Sequence, residues 1–272
     1  METSSFNEEQ TLRDEQKVSP LEKVITACPN CAQKLRAPVK RGTLNLTCPT
    51  CKHLWLWFPT GIVREQIERI KAKIELAKTI PRQLSGSYTE EERVLNHYRF
   101  FGVDRHQFQF NRPLSSDKID VWEAKYKVSL PLEYRSFLEQ IGNGGAGPYY
   151  GILPLEKWDH GISFSEKDTL LKCPSQPCLL LEQYKNEESW GVEVVGEDWE
   201  EKYDQETWAP ECGTITVCEF GCGGFFNLVL NGLLRGKICY IEGLNSPVFD
   251  PSPNFLAWYE GWLNFVLTGQ SS

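Results

Sequence analysis

Four cysteines in two C-x2-C pairs constrain the front of this chain more than any other feature. They read Cys28-Pro29-Asn30-Cys31 and Cys48-Pro49-Thr50-Cys51, with sixteen residues between the pairs. A tetrahedral zinc ion takes four soft thiolates, and this spacing supplies two from each of two tight turns. Four cysteine ligands close the coordination shell, so the expectation is a structural Zn2+ and not a catalytic one. Redox C-x-x-C sites or a disulfide pair are the alternative, but nothing else in the segment has a redox pattern. His53, two residues past Cys51, reads as a surface residue rather than a ligand.

A module of some forty residues cannot bury enough apolar surface to fold alone, so the metal must supply the missing stability, on the order of 10 kcal/mol. Trp55, Trp57 and Phe58 follow the second pair and are expected to cover the site. The runs Thr26-Ala27-Cys28-Pro29-Asn30-Cys31-Ala32-Gln33-Lys34-Leu35 and Leu46-Thr47-Cys48-Pro49-Thr50-Cys51-Lys52-His53 resemble the short zinc ribbons at the N-termini of many bacterial proteins. That resemblance implies a β-rich knuckle over residues 21–60 and says little about activity.

Residues 1–20 are polar and charged, read as a disordered tail with no signal peptide. No run approaches the twenty apolar residues that span a bilayer. Ten cysteines without a secretion signal point to a reducing compartment, and the reading is cytoplasmic, with no membrane association. The net charge of -8 is uneven. Residues 22–82 are basic and the remainder is strongly acidic. From Glu187 to Glu211 ten carboxylates are opposed only by Lys202. Such a run is either a solvated loop or an electrostatic surface for a basic partner.

Val63, Ile67, Ile70, Ile74 and Ala77 recur at helical spacing, which places an amphipathic helix and a linker in residues 61–84. Pairs such as Glu65/Arg69 and Lys71/Glu75 lace its outer face. The seam is expected to pack on the chain's own domains rather than dimerise. The main domain, 85–270, opens with a helix capped by Thr89 and Glu92 and carrying Val94, Leu95, Tyr98 and Phe101. A second helix starts at Ser115-Ser116-Asp117 and a third at Pro131. Strand-like runs follow at Thr214–Phe220, Phe225–Leu230 and Lys237–Ile241, and a last helix begins at Ser252-Pro253. Helices, then strands, then one closing helix give an α+β fold with an antiparallel sheet and packed helices.

Gly142-Asn143-Gly144-Gly145-Ala146-Gly147 matches G-x-G-x-x-G by letter, but a helix precedes it where a strand is needed, so it reads as a helix stop and tight turn. Cys173, Cys178, Cys212, Cys218, Cys222 and Cys239 read as buried free thiols, with a second metal site as the alternative. No nucleophile elbow, phosphate loop or zinc-protease motif is present, and His97, His106 and His160 are scattered. The chain reads as a non-enzyme with no small-molecule substrate.

The segment from Ile119 to Leu155 is the diagnostic one. It runs Ile119, Trp122-Glu123 and Tyr126, then Leu130-Pro131, Tyr134-Arg135-Ser136-Phe137-Leu138, Asn143-Gly144-Gly145 and Gly147-Pro148-Tyr149-Tyr150-Gly151-Ile152-Leu153-Pro154-Leu155. With Gly221-Cys222-Gly223-Gly224, Phe226–Leu230 and the aromatic closing helix, it resembles the SUKH superfamily, which includes the yeast cell-wall assembly regulators. The resemblance implies a domain without catalytic residues. Bacterial members commonly serve as immunity proteins that neutralise a toxin, often a nuclease, by direct binding. Its implied partner is therefore a protein, a basic toxin domain. Glu197, Asp198, Trp199, Glu200, Glu201 and Trp208 are the candidate contact residues, as aromatic anchors ringed by charge of one sign. Nucleic-acid binding is not expected of the whole chain, because the acidic domain opposes the basic front. A zinc-ribbon regulator or interaction hub associated with nucleic acid or a protein complex is the alternative reading.

Overall fold

The computed structural model describes residues 23–28, 30–38, 44–57, 60–81, 89–161, 173–182, 190–205, 209–241 and 247–270. The expected tail 1–20 and the linker Ser85-Gly86-Ser87 lie outside these residues, as do Phe58 and the side chain of Trp55. The chain divides into two compact units, Met1–Trp57 and Phe58–Ser272.

The first unit consists of two hairpins. Strands β1 (Lys23–Ala27) and β2 (Lys34–Pro38) pair antiparallel, from Lys23 opposite Pro38 to Ala27 opposite Lys34. Strands β3 (Leu44–Thr47) and β4 (Leu54–Trp57) pair likewise, from Leu44 opposite Trp57 to Thr47 opposite Leu54. Each C-x2-C pair is the tip of one hairpin.

The second unit opens with helix α1 (Thr60–Thr79). Val63, Ile67, Ile70, Ile74 and Ala77 are buried in one core with residues of the closing helix α8 (Phe255–Thr268). The seam read from sequence is thus spent inside the chain. Burying one Ile or Val contributes roughly 1.5–3 kcal/mol, so this contact is a large part of what holds the unit together. Arg69 reaches across to Glu260 of α8 at 3.0 Å, with Glu65 acting on it electrostatically, while the outer face keeps the i,i+3 pairs Lys71–Glu68 and Lys78–Glu75.

Helix α2 (Glu90–Arg99) carries the expected capping box: the Glu92 amide donates to Thr89 Oγ1 at 3.2 Å, and the Thr89 amide donates to Glu92 at 2.8 Å. It buries no residue, however, and Val94, Leu95 and Tyr98 stay exposed. It is held from its last turn, where the Arg99 guanidinium donates to the carbonyls of Val266 and Leu267 at the end of α8. A cation there meets the unpaired carbonyls of a helix C-terminus.

After the short α3 (Val103–His106) come α4 (Ser116–Tyr126) and α5 (Leu132–Gln140). Arg135 of α5 joins them through Asp120 and Glu123 of α4, at 2.8 Å each. Strands β5 (Thr214–Gly221), β6 (Gly224–Val229), β7 (Ile238–Ile241) and β8 (Val248–Phe249) form an antiparallel sheet in sequence order. Alternation gives the sheet two buried faces. Ile215, Val217, Leu228 and Ile238 join the core formed with the long helices. Val229 and Cys239 instead pack with Leu180 and Trp190. Helix α8 starts at Phe255, later than the sequence suggests, because Asn254 accepts the Ala257 amide at 2.9 Å and serves as its N-cap.

The glycine-rich run extends this sheet irregularly. Gly145 and Ile152 exchange both backbone hydrogen bonds at 2.8 Å, and Leu153 donates to Val217 of β5 at 2.9 Å. Gly145 has φ +115, and a Cβ there would lie 2.4 Å from the Gln109 carbonyl oxygen. The glycine is required by a close backbone approach.

Candidate functional site

The two hairpin tips are built alike. Cys28 donates its amide to the Gln33 carbonyl and accepts from the Ala32 amide, both at 2.9 Å. Cys48 does the same with His53 at 2.9 Å and Lys52 at 3.0 Å. Ala32 and Lys52 both have positive φ, 58 and 60. This left-handed residue turns the chain back after the second cysteine, leaving the two sulfurs of each pair inside the turn.

The four sulfurs then converge. Their ligand atoms all lie within 4.8 Å of one another. The closest contacts cross between hairpins: Cys28 Sγ to Cys51 Sγ is 3.7 Å and Cys31 Sγ to Cys48 Sγ is 3.6 Å. Zinc–sulfur bonds of about 2.3 Å in a tetrahedron separate the sulfurs by about 3.8 Å, so the sulfur set fits one such ion. The four cysteines could therefore hold a metal ion.

The local electrostatics favour thiolates at two positions. The Asn30 side chain and the His53 amide hold Cys51 down to about 6. The amides of Cys51 and Thr50 hold Cys48 below the ordinary thiol value. At Cys31 the Gln33 amide acts downward, but the sulfurs of Cys51, Cys48 and Cys28 and desolvation outweigh it and push the thiol up to about 12. Crowded sulfurs cannot all be thiolates without a cation, and a metal ion would displace the proton that Cys31 keeps.

Among the described residues, no other group of three or more metal-capable side chains comes together. Cys173, Cys178, Cys212, Cys218 and Cys239 are buried thiols, and Cys222 stands exposed at the β5–β6 turn. Cys173 and Cys212 hydrogen-bond one another, which raises Cys173 and lowers Cys212.

The described residues of the acidic stretch form two short helices, α6 (Trp190–Val195) and α7 (Trp199–Asp204). Trp190 is buried against the sheet, and the Trp199 ring lies 6.4 Å from it, partly buried. Gly191 makes room, since a Cβ there would come within 2.6 Å of the Trp199 ring. Glu197, Asp198, Glu200 and Glu201 are exposed, with Lys202 paired to Asp198 at 2.9 Å. The tryptophans thus anchor the segment while four carboxylates remain at the surface. Trp208 lies outside the described residues.

One polar centre carried no sequence signal. Glu260 lies in the apolar α8 and is buried. Gln66 donates to it at 3.1 Å, Arg69 at 3.1 and 3.0 Å, and Lys73 at 2.7 Å. Burial pushes its carboxyl up, but Arg69, Lys73 and Gln66 outweigh this and hold it below the usual range. Only the packing of α1 on α8 brings together groups so far apart in sequence.

No helix among the described residues is long and apolar enough to cross a membrane. Comparison with curated proteins and with solved structures gave no match. A family model described as SMI1 / KNR4 family (SUKH-1) matches residues 113–261, more than half of the chain. That span takes in α4, α5, the glycine-rich ladder, the sheet and the first half of α8, which is the frame the diagnostic residues build. The chain belongs to the SMI1 / KNR4 (SUKH-1) family.

Proposed function

We propose that this protein is a cytoplasmic, non-enzymatic immunity protein that neutralises a toxin by direct binding. Family membership supports the class, because domains of this kind are generally binding proteins. We also propose that residues 85–270 are the binding domain, that 61–84 join it to the front, and that 21–60 are a zinc ribbon acting as an accessory module.

The observation that carries the partner reading is the exposed carboxylate cluster Glu197, Asp198, Glu200 and Glu201, seated beside the buried Trp190 and the partly buried Trp199. A nuclease must attract phosphates, so its cleft is basic, and an anchored acidic surface complements it and speeds encounter. Trp199 and Trp208 are assigned to the same contact surface. The test is co-expression with a nuclease toxin encoded beside this gene, followed by purification of the pair. A stable complex with loss of nuclease activity is expected. Sub-micromolar binding of DNA or RNA by the full chain at physiological salt, with no toxin complex, would support the nucleic-acid regulator instead.

A further inference from the structure

Helix α2 leaves its apolar side uncovered. Val94 is 45% exposed, Leu95 44% and Tyr98 65%, and no residue of the helix is buried. The face continues past the helix end. The His97 ring lies edge-on to Tyr98 at 5.7 Å and to Phe101 at 5.6 Å, and Phe101 meets the Tyr149 ring at 6.0 Å. Tyr149 is itself 40% exposed. Its backbone is held in the left-handed region, with φ 51, which a bulky side chain rarely adopts. Gly102 permits this, since a Cβ there would fall 1.8 Å from the Tyr149 carbonyl oxygen. Such strain clusters at functional positions.

Size and charge together say what covers this face. With roughly 150–250 Å² for each large side chain, Val94, Leu95, Tyr98 and Tyr149 expose roughly 350–400 Å² between them. Two copies bring about twice that area, which is the apolar share of a protein interface of about 1,200–1,400 Å². That is enough for a stable dimer of modest affinity. The first turn of α2 carries Glu90, Glu91 and Glu92, and its last turn carries His97 and Arg99. The helix is acidic at one end and basic at the other. A second copy of the helix laid antiparallel sets each acidic end beside a basic one and opposes the two helix dipoles. A parallel copy would set like charge on like. Glu91, Val94 and Tyr98 follow at steps of three and four, so charge and apolar contact share one stripe.

We propose that α2, with Phe101 and Tyr149, is a self-association surface through which two copies of this chain pair antiparallel about a twofold axis. An isologous contact of this kind closes on itself and gives a dimer, not a filament. No residue of the acidic helices takes part, so the inference stands or falls apart from the toxin reading.

Sedimentation of the full chain over a concentration series tests it. The mass should rise from 31.2 kDa toward twice that value, with a dissociation constant of about 1–50 μM. Val94→Glu combined with Tyr98→Glu should weaken association at least about tenfold. Both side chains are exposed, so the melting temperature should not change. Glu91→Lys puts a cation at the acidic end and should weaken the dimer several-fold, and adding His97→Glu should recover much of that loss. A mass fixed at 31.2 kDa up to about 200 μM, a dimer that survives the double apolar variant, or a charge swap that recovers nothing would overturn the proposal.

Discussion

The buried anchor between α1 and α8 gives a quantitative prediction. Glu260→Gln keeps the shape of the side chain and removes its charge. Its two cationic partners then lose a counter-ion that is itself only 11% exposed at the side chain. Breaking a buried ion pair by removing one member costs roughly 3–5 kcal/mol. Here the partners can recover water, because the Arg69 side chain is 55% exposed and the Lys73 side chain 25%. Lys73 also keeps its bond to Asn264 Oδ1 at 2.7 Å. Discounting for that exposure leaves about 1–2 kcal/mol. For a unit of this size that lowers the melting temperature by roughly 3–7 °C. The pH dependence follows from the direction of the Glu260 shift. Its folded carboxyl titrates below its unfolded value of about 4.3, so the stabilisation is complete above that value and is lost as pH falls through the folded one. Urea denaturation of wild type and variant at neutral pH and near pH 3.5 would measure both effects. Equal midpoints at neutral pH, or a gap that persists undiminished in acid, would refute the reasoning.

Four further outcomes are expected. Elemental analysis of the wild type should find about one equivalent of zinc, and Cys48→Ser should abolish it while the near-UV circular dichroism of the main unit is retained. Zinc should leave the wild-type chain as pH falls, because Cys31 and its neighbours regain protons, and chelator-release rates measured against pH would show this. Ile67→Ala, at a fully buried position of α1, should cost about 2–5 kcal/mol by denaturant titration. Replacing Glu197, Asp198, Glu200 and Glu201 with Ser should leave the melting temperature nearly unchanged, slow association with the cognate toxin and flatten its salt dependence in stopped-flow measurements.

The features legible in the sequence are those whose physics is local. The capping box of α2 is a four-residue geometry. The two C-x2-C turns bring their own sulfurs together within a few residues, and the helical spacing of Val63 to Ala77 defines a buried seam whatever it packs against. Strand runs with alternating burial gave the sheet, and the helix–strand–helix order gave the α+β class. The apolar residues of α2 misled, because a periodic pattern marks a face that can be buried without showing that a partner exists. The acidic run concealed two short helices, since Trp190 and Trp199 find their packing only on a sheet face assembled from later residues.

The sequence by itself determined the metal-capable quartet, the family frame and the uneven charge, because each depends on residue type at short spacing. Tertiary structure alone decided that Glu260 is a buried anchor, that Trp190 turns inward while Glu197, Asp198, Glu200 and Glu201 face out, and that Lys127 and Arg235 line one pocket. Those groups lie far apart along the chain, and only the closure of α1 on α8, and of the loops over the sheet end, brings them within the few ångströms at which charge and hydrogen bonding act.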